Sequence, residues 1–213
     1  MPIALIDYRA GNLTSVRKGF AAVGAEIFTP ASASELARSS AIVVPGVGHF
    51  GATSYFDDGW RREIRAAVAD GVPLLGICLG LQWLFAGSEE APDCPGLGLL
   101  SGTCYRLRGA AAGAVPQDHG TNGGAIKIPH VGWNSIAIER PSPIVAGVAT
   151  GSQVYFTHSF VAPVTGDTVA VTEHGEPFAA IVQRGRVAGV QFHPEKSGDV
   201  GLQILRNFAG SAR

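Results

Sequence analysis

A cysteine set between glycines, a histidine and a glutamate on either side of a proline, and a glycine-rich turn are the residues of this sequence best suited to chemistry. In Gly76-Ile77-Cys78-Leu79-Gly80 the cysteine closes an apolar strand-like run, Leu74 to Ile77, and opens a helix-compatible one, Leu79 to Phe85. This is a nucleophile-elbow pattern, in which a strained strand-to-helix turn needs small neighbours so that the flanking chain can pass close by. Unpaired N–H groups at a helix start favour the thiolate, the form that attacks carbonyl carbon, and can also hold an oxyanion. A buried structural cysteine is the competing reading for Cys78 taken alone.

Gln191-Phe192-His193-Pro194-Glu195-Lys196 follows another strand-like run, Val187 to Val190. Pro194 disfavours the helical region for His193, so the segment is predicted to stay extended with His193 and Glu195 on one side. A carboxylate there holds the imidazole in one orientation while the other ring nitrogen faces a nucleophile. A surface pair is the alternative for these two residues by themselves; together with Cys78 they make the nucleophile, base and orienter of acyl transfer. Pro45-Gly46-Val47-Gly48 directly follows the strand-like Ile42 to Val44. It is either an ordinary glycine turn or the source of a Val47 N–H that pairs with that of Leu79 to receive a tetrahedral oxyanion.

Strands that end where these residues begin are what must position them. Apolar runs at Ile3 to Ile6, Ile42 to Val44 and Leu74 to Ile77 alternate with helical patterns at Leu13 to Val23 and Trp60 to Val68. The alternation predicts βαβ units and a three-layer α/β sandwich around a central, mostly parallel, doubly wound sheet, with the site beyond the carboxyl ends of its strands. Asn12 is placed to cap the first helix and Gly24 to end it. Period-two stretches at Gln153 to Phe156, Val169 to Thr172, Ala179 to Gln183 and Val187 to Gln191 predict further strands, partly antiparallel, before a last helix at Asp199 to Phe208. One domain over 1–213 is expected, with a surface loop at Gly109 to Gly124, where Ala and Gly dominate.

A formal net charge of −1 over 213 residues offers no footprint for nucleic acid or an anionic membrane. No apolar run approaches the roughly 20 residues of a membrane span and no signal-peptide pattern opens the chain, so a cytoplasmic location is expected. Cys78, Cys94 and Cys104 lack zinc-site spacing and are read as reduced thiols, while His49, His119, His130 and His174 are read as loop or surface residues without metal-ligand spacing.

The strings DYRAGNLTSV (from Asp7), PGVGHFG (from Pro45), GICLGLQWLF (from Gly76), PHVGWN (from Pro129), THSF (from Thr157) and QFHPEKSGDVGLQILRNF (from Gln191) occur in one order over nearly the whole chain. In them the sequence resembles the glutaminase subunits of imidazole glycerol phosphate synthase, within the class I glutamine amidotransferases, whose fold is flavodoxin-like. The resemblance implies hydrolysis of glutamine to glutamate and ammonia through a Cys78 thioester, with His193 moving protons under the guidance of Glu195 and with no metal or organic cofactor. It also implies that Gly46, Gly48, Gln82, Ser159 and Phe160 hold the glutamine. The partner it implies is a (βα)8-barrel cyclase of histidine biosynthesis, contacted near Asn12, Trp133, Asn134 and Lys196. Arg9 departs from the family's usual glycine, Leu81 from methionine and Phe160 from tyrosine. A paralogous glutaminase serving another acceptor and a partner-independent γ-glutamyl hydrolase or cysteine peptidase are the competing functions.

Overall fold

The computed structural model describes residues 1–108 and 126–212. Strands β1 (Ile3–Leu5), β2 (Ile27–Phe28), β3 (Ala41–Val44) and β4 (Leu74–Ile77) arise in the first half of the chain, with helix α1 (Leu13–Ala22) between β1 and β2 and α2 (Asp58–Ala69) between β3 and β4. Then come α3 (Leu79–Trp83), β5 (Gly87–Ser88), β6 (Thr103–Arg106), β7 (His130–Ser135), β8 (Ala137–Ile138), β9 (Gln153–His158), β10 (Phe160–Val161), β11 (Thr168–Glu173), β12 (Pro177–Arg184), β13 (Val187–Val190) and α4 (Gly198–Ala209). The predicted loop at 109–124 and His119 lie outside the described residues.

The main sheet runs β2-β1-β3-β4-β13-β12-β11-β8. It is parallel from β2 to β13 and antiparallel from there to β8. Successive side chains of β1, β3 and β4 go to opposite faces: Ile3, Leu5, Val43 and Leu75 pack with Val16, Phe20, Ile204 and Phe208 of α1 and α4. Ala4, Ile42, Val44 and Leu74 pack instead with Trp60 and Ile64 of α2. Because both faces are covered, these strands read as unbroken apolar runs.

Local chemistry fixes the helix ends. The Asn12 side chain accepts from the Ser15 N–H at 3.2 Å and that of Asp57 from the Trp60 N–H at 2.9 Å. Gly24, just past α1, takes φ +77°, the left-handed turn that ends many helices. Arg9 takes φ +63°, a region costly for a side chain with a Cβ, so its departure from glycine carries strain in the loop after β1.

The small sheet β10-β6-β5 escaped the sequence reading, as did β7, which pairs with the expected strand β9. Strands of two to four residues leave too few alternations to count, and glycine within β7 weakens its strand signal. His130, expected at the surface, is buried on the inner face of β7; strand alternation sends Val131 and Trp133 outward and turns His130 inward.

Candidate active site

The strand-to-helix turn after β4 presents Cys78 with φ 53° and ψ −106°. Its N–H donates to the Val190 carbonyl at 2.8 Å, which ties the strained residue to the end of β13. The flanking glycines are dictated by backbone proximity. A Cβ on Gly80 would lie 1.8 Å from the Val44 carbonyl oxygen, and one on Gly76 would lie 2.5 Å from that of Gly80. The helix that follows is shorter than expected, Leu79–Trp83, so its dipole offers a thiolate little and the neighbouring imidazole matters more.

His193 follows β13 and is held from the opposite side by β9. Its N–H donates to the Tyr155 carbonyl at 2.9 Å, while the Ser197 hydroxyl donates to the His193 carbonyl at 2.6 Å and accepts from the Tyr155 N–H at 2.9 Å. The ring is buried, with Nδ1 2.9 Å from Glu195 Oε1. Sequence reasoning expected an extended strand to align this pair, but Pro194–Lys196 form a short 3-10 turn. The turn folds Glu195 back onto the ring, so the expected proximity arises from a different backbone. Burial opposes a charge on His193, yet hydrogen bonding and charge from Cys78 and Glu195 outweigh it, and the imidazole is pushed up to about 10. Nε2, the nitrogen left for Cys78, has no other partner.

A cavity of about 210 Å³ opens beside Cys78, with Gly48, Leu79, Gln82, Ser159 and Phe160 on its wall. Two residues that the sequence reading did not single out belong here. Gln191, fully buried, donates from Nε2 to Cys78 Sγ at 3.7 Å and accepts on Oε1 from Gln82 Nε2 at 3.4 Å. Gln82 Nε2 also donates to the Phe160 carbonyl at 2.9 Å, a contact that needs no tyrosine hydroxyl. Glu90, the one carboxylate on the cavity wall among the described residues, accepts from the Phe50 N–H at 2.7 Å. Gln191 lies within the QFHPEK string; nothing in the sequence placed Glu90 near Cys78.

The Leu79 N–H does not face the cavity alone. It donates to the Gly46 carbonyl at 3.3 Å, so in this structure the Val47 and Leu79 N–H groups are not brought together as a two-donor site. A second, enclosed space of about 20 Å³ lies on the other side, bounded by Asn12, Val47, His193, Glu195 and Lys196. The Lys196 ammonium sits 5.7 Å from the centre of the Tyr155 ring, and Tyr155 pairs across the strands with Trp133. Asn12, Val47, Tyr155, Lys196 and Trp133 thus border one rim of the molecule. Asn134 points inward.

The thiols of Cys78, Cys94 and Cys104 are all free. Among the described residues no group of three or more His, Cys, Asp or Glu is arranged to hold a metal ion, and no helix is long and apolar enough to cross a membrane.

The family model for glutamine amidotransferase class-I matches residues 4–211. The chain belongs to the class-I glutamine amidotransferase family. Within the family, it is 41% identical over 213 residues to a protein of Bacillus cereus named imidazole glycerol phosphate synthase subunit HisH, covering 98% of this chain and 94% of the relative. It is 43% identical over 214 residues to the Geobacillus kaustophilus protein of the same name, covering 99% and 97%. Among solved structures, a glutamine amidotransferase superposes with a TM-score of 0.70 at 21% identity, over 97% of this chain and 98% of the other. A glutamine amidotransferase from Thermotoga maritima does so at 0.60 and 15%, over 92% and 76%. These two agree with the class I amidotransferase sheet described above.

Proposed function

We propose that this chain hydrolyses glutamine to glutamate and ammonia and delivers the ammonia to the cyclase subunit of an imidazole glycerol phosphate synthase, a (βα)8 barrel, in histidine biosynthesis. The observation that carries the chemistry is the buried imidazole of His193, which shares its Nδ1 proton with Glu195 and has its hold on a proton strengthened by Cys78 beside its other nitrogen. The Cys78 thiolate attacks the carboxamide carbon. The tetrahedral intermediate expels ammonia as His193 gives a proton to the leaving nitrogen, and a water deprotonated by His193 then attacks the thioester, releasing glutamate and restoring the thiol. Glu195 orients the ring and carries no proton itself.

A space of about 210 Å³ is smaller than the roughly 300–1,000 Å³ of sites for drug-sized ligands and suits a free amino acid better than an extended peptide. Gly46, Gly48, Gln82, Ser159 and Phe160 hold the glutamine in this reading, and the Glu90 carboxylate takes its ammonium group. Asn12, Trp133 and Lys196 border the cyclase, with Asn134 turned inward behind them, which accounts for a Trp133 that is 57% exposed.

The Gly46 carbonyl on the Leu79 N–H leaves one oxyanion donor occupied, so glutaminase activity is low until the cyclase turns this peptide and presents Val47 and Leu79 together. One such donor is worth about 10²–10³ in turnover. The test compares glutamate formation by the chain alone and with the cyclase and its nucleotide substrate, then supplies ¹⁵N-amide glutamine against unlabelled ammonium. Activation of that order with labelled product supports the reading. Full activity alone, or product nitrogen from bulk ammonium, returns the γ-glutamyl hydrolase reading to first place.

A further inference from the structure

His130 and His158 face each other across β7 and β9 as a register pair, both buried, with His130 Nδ1 3.1 Å from His158 Nε2. His158 also lines the cavity that holds Cys78. The proton order in this pair follows from Asn134, on the same face of β7 as His130. The Asn134 Oδ1 accepts from the Ser135 N–H at 2.8 Å, and its Nδ2 donates to the Glu173 carbonyl at 3.0 Å. A backbone N–H can only donate and a carbonyl can only accept, so the amide has one orientation. Its Nδ2 is also 3.3 Å from His130 Nε2, which must then be the bare nitrogen of that ring. Neutral His130 therefore carries its proton on Nδ1 and gives it to His158 Nε2. Neutral His158 in turn carries its own on Nδ1. That nitrogen is buried and leans on the Phe160 backbone without closing a hydrogen bond of full geometry.

An unpartnered buried N–H is costly, and this one is fixed in place by a three-residue chain that begins under the exposed face of β7. We infer that His158 is a positioning residue of the glutamine pocket: ordered by Asn134 and His130, its Nδ1–H closes on the Phe160 backbone when glutamine seats against Ser159 and Phe160. The inference rests on the proposed glutaminase reading and deepens it. The chain runs along the inner face of β7, directly behind the outer face on which Val131 and Trp133 are each 57% exposed. His174, stacked on His130 with ring centres 4.0 Å apart, bonds elsewhere, through Nε2 to the Lys127 carbonyl at 2.9 Å, and stands outside the chain.

The test has two arms on the full-length protein. Long-range ¹H–¹⁵N spectra at pH 7 should find both rings neutral with the proton on Nδ1; an Nε2–H form of either ring overturns the inference whatever the enzyme does. In the complex with the cyclase, KM for glutamine is compared for wild type, His158→Asn and His158→Gln. Asparagine keeps a donor where Nδ1 stood, and glutamine keeps only a group where Nε2 stood. Both variants should melt earlier, since each leaves one partner unmet. Only His158→Gln should raise KM, by about 2–13-fold, the range of one hydrogen bond, with kcat changed less than about twofold. An unchanged KM in His158→Gln, or an equal rise in both variants, overturns the inference while leaving the glutaminase reading intact. A wild-type complex that turns over no glutamine sinks the glutaminase reading, and the pocket role of His158 with it, even if both rings prove to be Nδ1–H.

Discussion

In the proposed reaction Cys78, His193 and Glu195 act as one unit, so their variants should separate by role. A glutamine-like diazo-ketone is expected to label Cys78 alone, because Cys104 is buried with its thiol pushed up by desolvation and Cys94 lies outside the cavity lining; mass-spectrometric adducts on either of the others would overturn the nucleophile. Glu195→Gln should lower turnover less than His193→Ala, which removes proton transfer worth about 10²–10⁴-fold. Equal losses would mean that Glu195 does more than orient. The raised affinity of His193 for its proton has a consequence for stability with a definite sign. The group holds its proton up to about 10 in the folded chain and to 6.5 otherwise. Its stabilisation is therefore complete below about 6.5 and is lost as pH rises toward 10. Thermal melts across that window should fall less steeply for Cys78→Ala, which removes one of the partners holding the proton.

Close passages of backbone set the elements, and these can be tested by adding single methyl groups. Gly80→Ala puts a Cβ 1.8 Å from the Val44 carbonyl oxygen; the clash with rigid backbone should cost at least the roughly 1–3 kcal/mol of an overpacked core, read from denaturant unfolding. The opposite sign is expected in the loop after β1. Arg9→Gly relieves a φ of +63° and should gain about 1 kcal/mol, while Arg9→Ala, which keeps the Cβ, should gain nothing. A lower midpoint for Arg9→Gly would show that contacts of the arginine side chain outweigh its backbone strain. Gly80 lies within α3, so this close passage seats the five-residue helix against β3, together with the packing of Leu79, Leu81 and Trp83 in the core.

At the scale of the whole molecule, the inner faces of β7 and β9 bury a histidine pair that resists protonation. Burial, with His174 nearby, lowers His130 to about 4, and burial with His130 beside it lowers His158 well below its ordinary range. A histidine whose folded pKa is depressed stabilises fully above its unfolded value near 6.5. That contribution is lost as pH falls from there through about 4, because the unfolded chain takes up protons first. Acid melts should therefore steepen below pH 6.5, and His130→Gln should flatten them. An unchanged acid limb would show that the pair is not held neutral.

Much of the α/β layering was legible in the sequence because strands buried on both faces are apolar runs and helices between them keep a 3.6-residue period. The cysteine elbow and its glycines were legible for a related reason: the chain there runs too close to itself for any other side chain. Leu74–Ile77 was bounded correctly and α4 to within a residue at each end. Other features depend on residues far apart in sequence. The 3-10 turn that folds Glu195 onto His193, Gln191 beneath Cys78, Glu90 on the cavity wall and the burial of His130 against His158 are products of strand pairing and packing, which leave no periodic mark. The Gly46 carbonyl on the Leu79 N–H belongs with them, since a peptide has the same composition whichever way its carbonyl points. Residue types and spacing determined which groups this protein has for acyl transfer; only the tertiary structure decided which of them meet, in which orientation and with which hydrogen bonds already taken.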